Sequence, residues 1–369
     1  MIVVEKTFSP GDSYPLERIG RPEELLFFDI ETTGFSGATS SLYLIGAVYV
    51  KDGVWNLIQW FVDRPGAEEE VLRAFFDFLT PFSTLVHFNG DTFDLPYLEK
   101  RCQSLGILCP LSAFESWDIY KKIRPFKKLL GLDSLKLKAV ERFLGIYRED
   151  PYTGGQLIQV YQDYLTTGED ALYRMLMLHN EEDLMGMPRI LPILSYPDFL
   201  AGDFLPEEGA IRTEEDLFGT KEFFLQLSCR GALSLPTPVA WDHPALDGVH
   251  FSAEDDRLEL TIPLFDGELK YFYPDYKDYY YLIYEDTAIH KSVGEFVDKA
   301  ARKKATAATC YTRRRGLFLP QTGPVLTPAF RKELRSKCSY GELPEDLMAC
   351  PCLSSYVKSL VASSLPVKS

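Results

Sequence analysis

Leu25-Leu26-Phe27-Phe28-Asp29-Ile30-Glu31-Thr32-Thr33-Gly34 places two carboxylates at the end of an apolar run that reads as a strand over residues 24–31. Side chains alternate faces along a strand, so Asp29 and Glu31 share one face a few ångströms apart. Like charges held that close repel unless something compensates them. A divalent cation is the usual compensation, and hard carboxylate oxygens select Mg²⁺ or Mn²⁺. Taken alone, the pair is equally a strand end facing water, and carboxylates elsewhere in the chain decide between the two.

A second acidic stretch is Phe88-Asn89-Gly90-Asp91-Thr92-Phe93-Asp94-Leu95-Pro96, where a short strand over Thr84–Phe88 hands over to a helix over Thr92–Leu105. Asp94 falls in the first helical turn, which favours an anion. Asp91 with Thr92 also fits an ordinary helix N-cap. The third stretch is Leu178-His179-Asn180-Glu181-Glu182-Asp183 on a late helix. His179 and Asp183 are four apart and share a helical face. A histidine held beside a carboxylate can act as a general base near neutral pH, although a surface pair of no consequence has the same spacing.

The three stretches occur in a fixed order: a same-face Asp-x-Glu on the first strand, an Asn-x-x-x-Phe-Asp at a strand–helix junction, and a His-x-x-x-Asp on a late helix. This ordered set resembles the DEDD exonuclease superfamily of the ribonuclease H-like fold. Within it the set looks like the YprB-type ribonuclease H-like family, akin to the proofreading domains of family B DNA polymerases. The resemblance covers about residues 20–195.

It implies an α/β fold with a ribonuclease H-like mixed sheet and flanking helices. It further implies that Asp29, Glu31, Asp94 and Asp183 bind two Mg²⁺ or Mn²⁺ ions, and that His179 is the general base or water-orienting residue. Well-known subgroups place Tyr four residues before the last Asp or His five before it, whereas this chain has His at the Tyr spacing. The implied activity is 3′→5′ exonucleolytic phosphodiester hydrolysis on single-stranded or frayed nucleic acid. Two metals about 4 Å apart stabilise the attacking and leaving oxygens in such a reaction. Thr32 and Asn89 are candidates for contacts to the terminal nucleotide. Endonuclease or resolvase-type cleavage on the same fold, or a non-catalytic nucleic-acid-binding protein with a relic site, are the alternatives.

The whole chain of 369 residues carries a net charge of −15, which excludes coating nucleic acid by bulk electrostatics. Two basic stripes stand out against it. Between Lys121 and Arg142 there are eight basic residues, among them Lys121, Lys122, Arg124, Lys127 and Lys128, against Asp133 and Glu141. These are candidates to guide a phosphate backbone, with Phe35, Phe88 or Tyr97 stacking on bases. Between Lys299 and Arg315 there are seven basic residues and no acidic one.

Strands over Ser41–Val50 and Val54–Val62 are joined at Lys51-Asp52-Gly53, a hairpin signal. The order strand, hairpin, helix, strand, helix, strand, then helices predicts a mixed-sheet α/β layer domain over residues 1–200, which the resemblance implies is a ribonuclease H-like exonuclease domain. Residues 201–369 change to short alternating runs and predict a β-rich α+β accessory domain of unknown role, with a helix over Val293–Lys304 and a mostly helical tail. The tyrosine-rich run Tyr271–Tyr281 reads as half-buried sheet packing or as a stacking platform. No apolar run approaches the ~18 residues of a membrane span. The start Met1–Lys6 lacks a secretory pattern, and the seven cysteines lack metal spacing. A cytoplasmic protein with free thiols and no membrane partner is expected.

Overall fold

The computed structural model describes residues 1–11, 14–215 and 218–365. Its first unit, Met1–Pro197, begins with β1 (Ile2–Phe8), an edge strand whose half-exposed alternation the sequence reading passed over. Then come β2 (Leu25–Thr32), β3 (Leu42–Lys51) and β4 (Val54–Phe61). The turn between β3 and β4 is Asp52-Gly53, both at positive φ (52° and 75°), the conformation a tight two-residue hairpin requires. Helix α1 (Glu68–Phe78), β5 (Thr84–His87), α2 (Asp94–Leu105) and β6 (Glu115–Asp118) complete the sheet layer.

The strand order is β1-β4-β3-β2-β5-β6. The pairs from β1 to β2 are antiparallel, and β2–β5 and β5–β6 are parallel. This is the mixed sheet the resemblance implies. β2 lies at its centre, which is why Leu25 to Phe28 can be apolar on both faces.

One sheet face packs Leu26, Phe28, Ile30, Ile58 and Trp60 against Val71, Leu72 and Phe75 of α1 and Tyr97 and Leu98 of α2. Each such large side chain contributes roughly 1.5–3 kcal/mol by leaving water. After two short helices, α3 (Ile119–Ile123) and α4 (Leu137–Phe143), the chain forms α5 (Gly154–Thr167) and α6 (Asp170–Ile190). These supply Leu157, Tyr161, Leu176 and Met177 to the other face, against Tyr43, Leu44 and Phe61. Strand alternation therefore turns Asp29 and Glu31 away from the face of Phe28 and Ile30, toward α6.

The boundary with the second unit, Asp198–Ser369, falls within α7 (Ser195–Ala201). Seven strands form its main sheet: β7 (Leu205–Glu215), β8 (Lys221–Arg230), β9 (Val239–Asp242), β10 (His250–Glu254), β11 (Arg257–Phe272), β15 (Tyr311–Gln321) and β16 (Ser339–Glu342). β11 pairs with β8 and β10 along its first half and with β15 along its second. A three-stranded sheet, β13-β12-β14, is made from β12 (Tyr279–Leu282), β13 (Thr287–His290) and β14 (Arg302–Lys304).

The helix expected over Val293–Lys304 is not formed. A four-residue α8 (Lys291–Gly294) stops at Gly294, and Arg302–Lys304 join β12 instead. The tail carries α9 (Leu353–Ser364), buried through Tyr356, Val357 and Leu360, with the Tyr356 hydroxyl donating to the Pro320 carbonyl at 2.8 Å. All seven cysteines are free thiols. Among the described residues no helix is long and apolar enough to cross a membrane.

Candidate active site

Asp29 is half-buried on β2, and its Oδ2 accepts from Asn180 Nδ2 at 3.0 Å. Asn180 is itself held by Gln59 of β4, whose Nε2 donates to Asn180 Oδ1 (2.9 Å) and to the Met177 carbonyl (3.0 Å). This polar bridge needs α6 close to the sheet. Gly46, opposite Asp29 in the β3 register, permits it: a Cβ there would lie 2.2 Å from Asn180 Oδ1 and 2.3 Å from a Leu184 methyl.

Two residues along, Glu31 is buried. Its Oε2 accepts from the Tyr43 hydroxyl at 3.3 Å, and its Oε1 lies 3.5 Å from His179 Nε2. A register shift between Glu31 and Thr32 ends the regular pairing at this point. Asp94, buried in the first turn of α2, accepts from the Ile30 amide at 3.3 Å. Asp183 completes the group from α6, with Oδ2 3.7 Å from His179 Nε2. Glu31, His179 and Asp183 offer ligand atoms all within 4.8 Å of one another.

Electrostatically this group is frustrated. Burial, then the charges of Asp94, Glu31 and Asp183, hold Asp29 well above the usual carboxylate range, against the hydrogen bond from Asn180. Burial pushes Glu31 up to about 7, with His179 opposing and Asp183 adding to the rise. Burial likewise pushes Asp94 up to about 7, against its amide hydrogen bonds and with Asp118 and Asp183 reinforcing. Burial alone would lower His179, but the carboxylates of Glu31, Asp183 and Asp150 outweigh it and raise the imidazole above its ordinary value. Four carboxylates in one partly dry space are a donor set suited to hard divalent cations.

The segment between α4 and α5 brings further residues to the cluster. Asp150 Oδ2 lies 2.6 Å from His179 Nδ1, and since a carboxylate only accepts, Nδ1 carries the proton and Nε2 faces Glu31 and Asp183. Arg148 pairs with Asp183 while gripping Glu141 through two nitrogens at 2.5 and 2.6 Å. Glu182 accepts the amides of Glu149 and Asp150, and Lys138 Nζ reaches Asp150 Oδ2 (3.1 Å) and the Tyr152 carbonyl (2.6 Å). Arg148, Asp150, Gln59 and Tyr43 went unnoticed in the sequence, and Glu141 figured there only as an acid within the basic stripe. Asn180 stands inside the third motif and was assigned nothing there.

The Asp91–Thr92 cap is not formed. The residue capping α2 is Phe93, and Asp91 instead binds Ser116 Oγ and Lys121 Nζ, the latter at 2.5 Å. Thr32 turns its hydroxyl to the Gly34 carbonyl (2.8 Å). Asn89 adopts positive φ (67°), donates its amide to Asp118 and accepts from the Thr92 hydroxyl. Lys121, Lys122, Arg124, Lys127 and Lys128 are all exposed, with Lys122 over the Trp117 ring at 5.2 Å. Phe35 is 93% exposed, and Phe88 is half-buried against Tyr120. Tyr97 is 2% exposed with its hydroxyl on Ser40, so it packs the core and is not available for stacking.

Residues 26–195 match the RNase_H_2 family model of the RNase_H superfamily. This region is a ribonuclease H-like domain. The chain is similar to the uncharacterized protein YprB of Bacillus subtilis (strain 168), at 26% identity over 219 residues covering 58% of this chain and 51% of YprB. It is also similar to a DNA polymerase of Pyrococcus glycovorans, 33% identical over 99 residues covering 24% of this chain and 12% of the polymerase. Among solved structures, the family B DNA polymerase of Pyrobaculum calidifontis aligns at 19% identity and a TM-score of 0.38, over 48% of this chain and 25% of the polymerase. The alignment thus spans about half of YprB and a small part of each polymerase.

Proposed function

We propose that this protein is a divalent-metal-dependent 3′→5′ exonuclease that hydrolyses phosphodiester bonds at single-stranded or frayed ends of nucleic acid. The observation that carries the reading is the convergence of Asp29, Glu31, Asp94 and Asp183 in a partly buried cluster, where burial first and neighbouring carboxylates second raise Asp29, Glu31 and Asp94 above the usual carboxylate range. Residues that resist ionisation in the bare protein are suited to hold two Mg²⁺ or Mn²⁺ ions. Bound there, the ions stabilise negative charge on the phosphate oxygens and lower the pKa of water.

The chain's own residues supply the rest. His179 presents Nε2 to the cluster and takes up a proton there, while Asp150 fixes its ring through Nδ1. Asn180 holds the Asp29 carboxylate, and Arg148 steadies Asp183. Thr32 and Asn89 contact the terminal nucleotide. The exposed cations Lys121, Lys122, Arg124, Lys127 and Lys128 follow the backbone, and Phe35 offers a ring for stacking. The seven free thiols fit a reducing cytoplasm.

The test is hydrolysis of end-labelled DNA and RNA oligonucleotides with Mn²⁺. Asp29→Ala and Asp183→Ala are expected to lose at least about 10³-fold in rate, the scale of losing a principal charge-stabilising group, while keeping a cooperative melt. Mononucleotides released from the 3′ end are expected. Internal fragments would reassign the protein as an endonuclease, and an inactive wild type on every substrate would end the enzymatic reading.

A further inference from the structure

The second unit carries a basic face that the carboxylate site does not use. Residues 299–315 hold seven cations and no anion in a chain of net charge −15. Arg313 and Arg314 are paired, with Glu268, Asp286 and Glu342. Lys299, Lys303, Lys304 and Arg315 are exposed, with no carboxylate within ion-pair distance among the described residues.

Lys303 borders an aromatic strip in which Tyr273, Tyr279 and Tyr281 are half-exposed and Tyr311 is buried at one end. Tyr273 stacks on Tyr279 at 4.7 Å, Tyr279 meets His290 edge-on, and Tyr281 neighbours Tyr311. Lys303 lies over the Tyr281 ring at 5.2 Å and Lys270 over Tyr311 at 4.8 Å. The small sheet and β15 are tied together here: the Tyr281 and Tyr311 hydroxyls both donate to Asp286 at 2.5 Å, and Arg313 donates to the Glu285 carbonyl at 3.0 Å. Tyr284 and Phe296, 79% and 91% exposed, add rings without a ring partner among the described residues.

Interleaved cations and open aromatic rings are what a single-stranded polynucleotide needs, phosphates for the first and bases for the second. An acidic peptide matches the charge and leaves the rings unused. We infer that the face built by β12–β14 and the adjoining end of β15 is a docking surface for single-stranded nucleic acid. It holds the strand independently of the carboxylate site.

The experiment measures anisotropy of labelled oligo(dT) and oligo(U) with the full chain in excess EDTA, so binding is read without hydrolysis. Failure here is thereby separate from failure of the nuclease reading. Lys299→Ala/Lys303→Ala should reduce the slope of log affinity against log salt by about 1.4, as expected for two lost phosphate contacts on a single strand. Tyr284→Ala/Phe296→Ala should weaken binding about tenfold or more at an unchanged slope. Both variants should melt with the wild type, since the altered side chains are exposed. The ratio of the two oligonucleotides separates DNA from RNA preference. A charge effect without a ring effect, or polyglutamate competing as well as the oligonucleotide, identifies a general polyanion surface and overturns the proposal. Wild-type slope and affinity in both variants overturn it as well.

Discussion

Two clusters that each join histidine to acidic groups sit at the carboxyl ends of neighbouring strands, and they have opposite electrostatics. In one, Asp29, Glu31 and Asp94 crowd against Asp183 and His179, and burial and mutual repulsion push these three carboxylates upward. In the other, His87 of β5 meets Asp91 and Asp118. There Asp118 accepts the amides of Asn89, Asp91 and Lys121, and Asp91 takes Ser116 and Lys121. Burial opposes the shift, yet those partners draw Asp91 below its ordinary value. The second cluster is complete as protein and ties the β5–α2 turn to β6. Only the first still calls for positive charge. Residue type and spacing do not separate a fold-holding cluster from a ligand-ready one, but the hydrogen-bond partners do.

The comparison can be broken by stability measurements. Asp118→Ala strips three backbone amides of their buried acceptor and should cost about 2–4 kcal/mol in a denaturant titration. Asp29→Asn keeps the acceptor for Asn180 and removes a buried, repelled charge, so it should stabilise the metal-free protein at pH 8. The sign follows from linkage. A carboxylate raised in the folded state holds its proton there while the unfolded chain has released it, so stability falls as pH climbs from about 4 through the folded pKa. The advantage of Asn at position 29 should therefore be absent near pH 4 and grow as the pH rises above it. Equal stability of the two proteins at both pH values would contradict the frustrated cluster.

A smaller effect sharpens the role of Asp150. Asp150→Asn leaves the loop hydrogen bond from Tyr152 possible but loosens the His179 ring, and a drop of about tenfold in kcat with KM unchanged is expected. A change confined to KM would place Asp150 in substrate binding instead.

How legible was this in the sequence? β2 and its same-face carboxylates were readable because a strand's period of two is fixed by backbone geometry. Asp52-Gly53 was readable because few residue pairs adopt two positive φ angles. Asp94 and Asp183 came with the ordered motifs. Asp150 was not readable: it lies 29 residues from His179 in a non-periodic loop, and only the packing of that loop on α6 brings the two together. Arg148 was hidden for the same reason, while Glu141, on α4, stood in the sequence only as an acid within the basic stripe. Gly186 on α6 makes their approach possible, since a Cβ there would sit 2.3 Å from Glu141 Oε1.

In the second unit, β7 escaped notice because it is almost wholly exposed and lacks an alternating pattern. Residues 293–304 mimic a helix through Val293, Phe296, Val297 and Ala300. Yet Val293 and Phe296 face water, while Gly294 packs so tightly on Tyr280 and Ile289 that a Cβ would fall 2.9 Å from each. Close backbone packing, not periodicity, ends α8.

The most direct test of the central claim is calorimetric titration of the metal-free protein with Mn²⁺, alongside Asp29→Asn and Asp91→Asn. The account predicts two bound ions per wild-type chain, at least tenfold weaker binding in Asp29→Asn, and wild-type binding in Asp91→Asn. Absence of Mn²⁺ binding by the wild type, or binding that survives at Asp29 and is lost at Asp91, would contradict it.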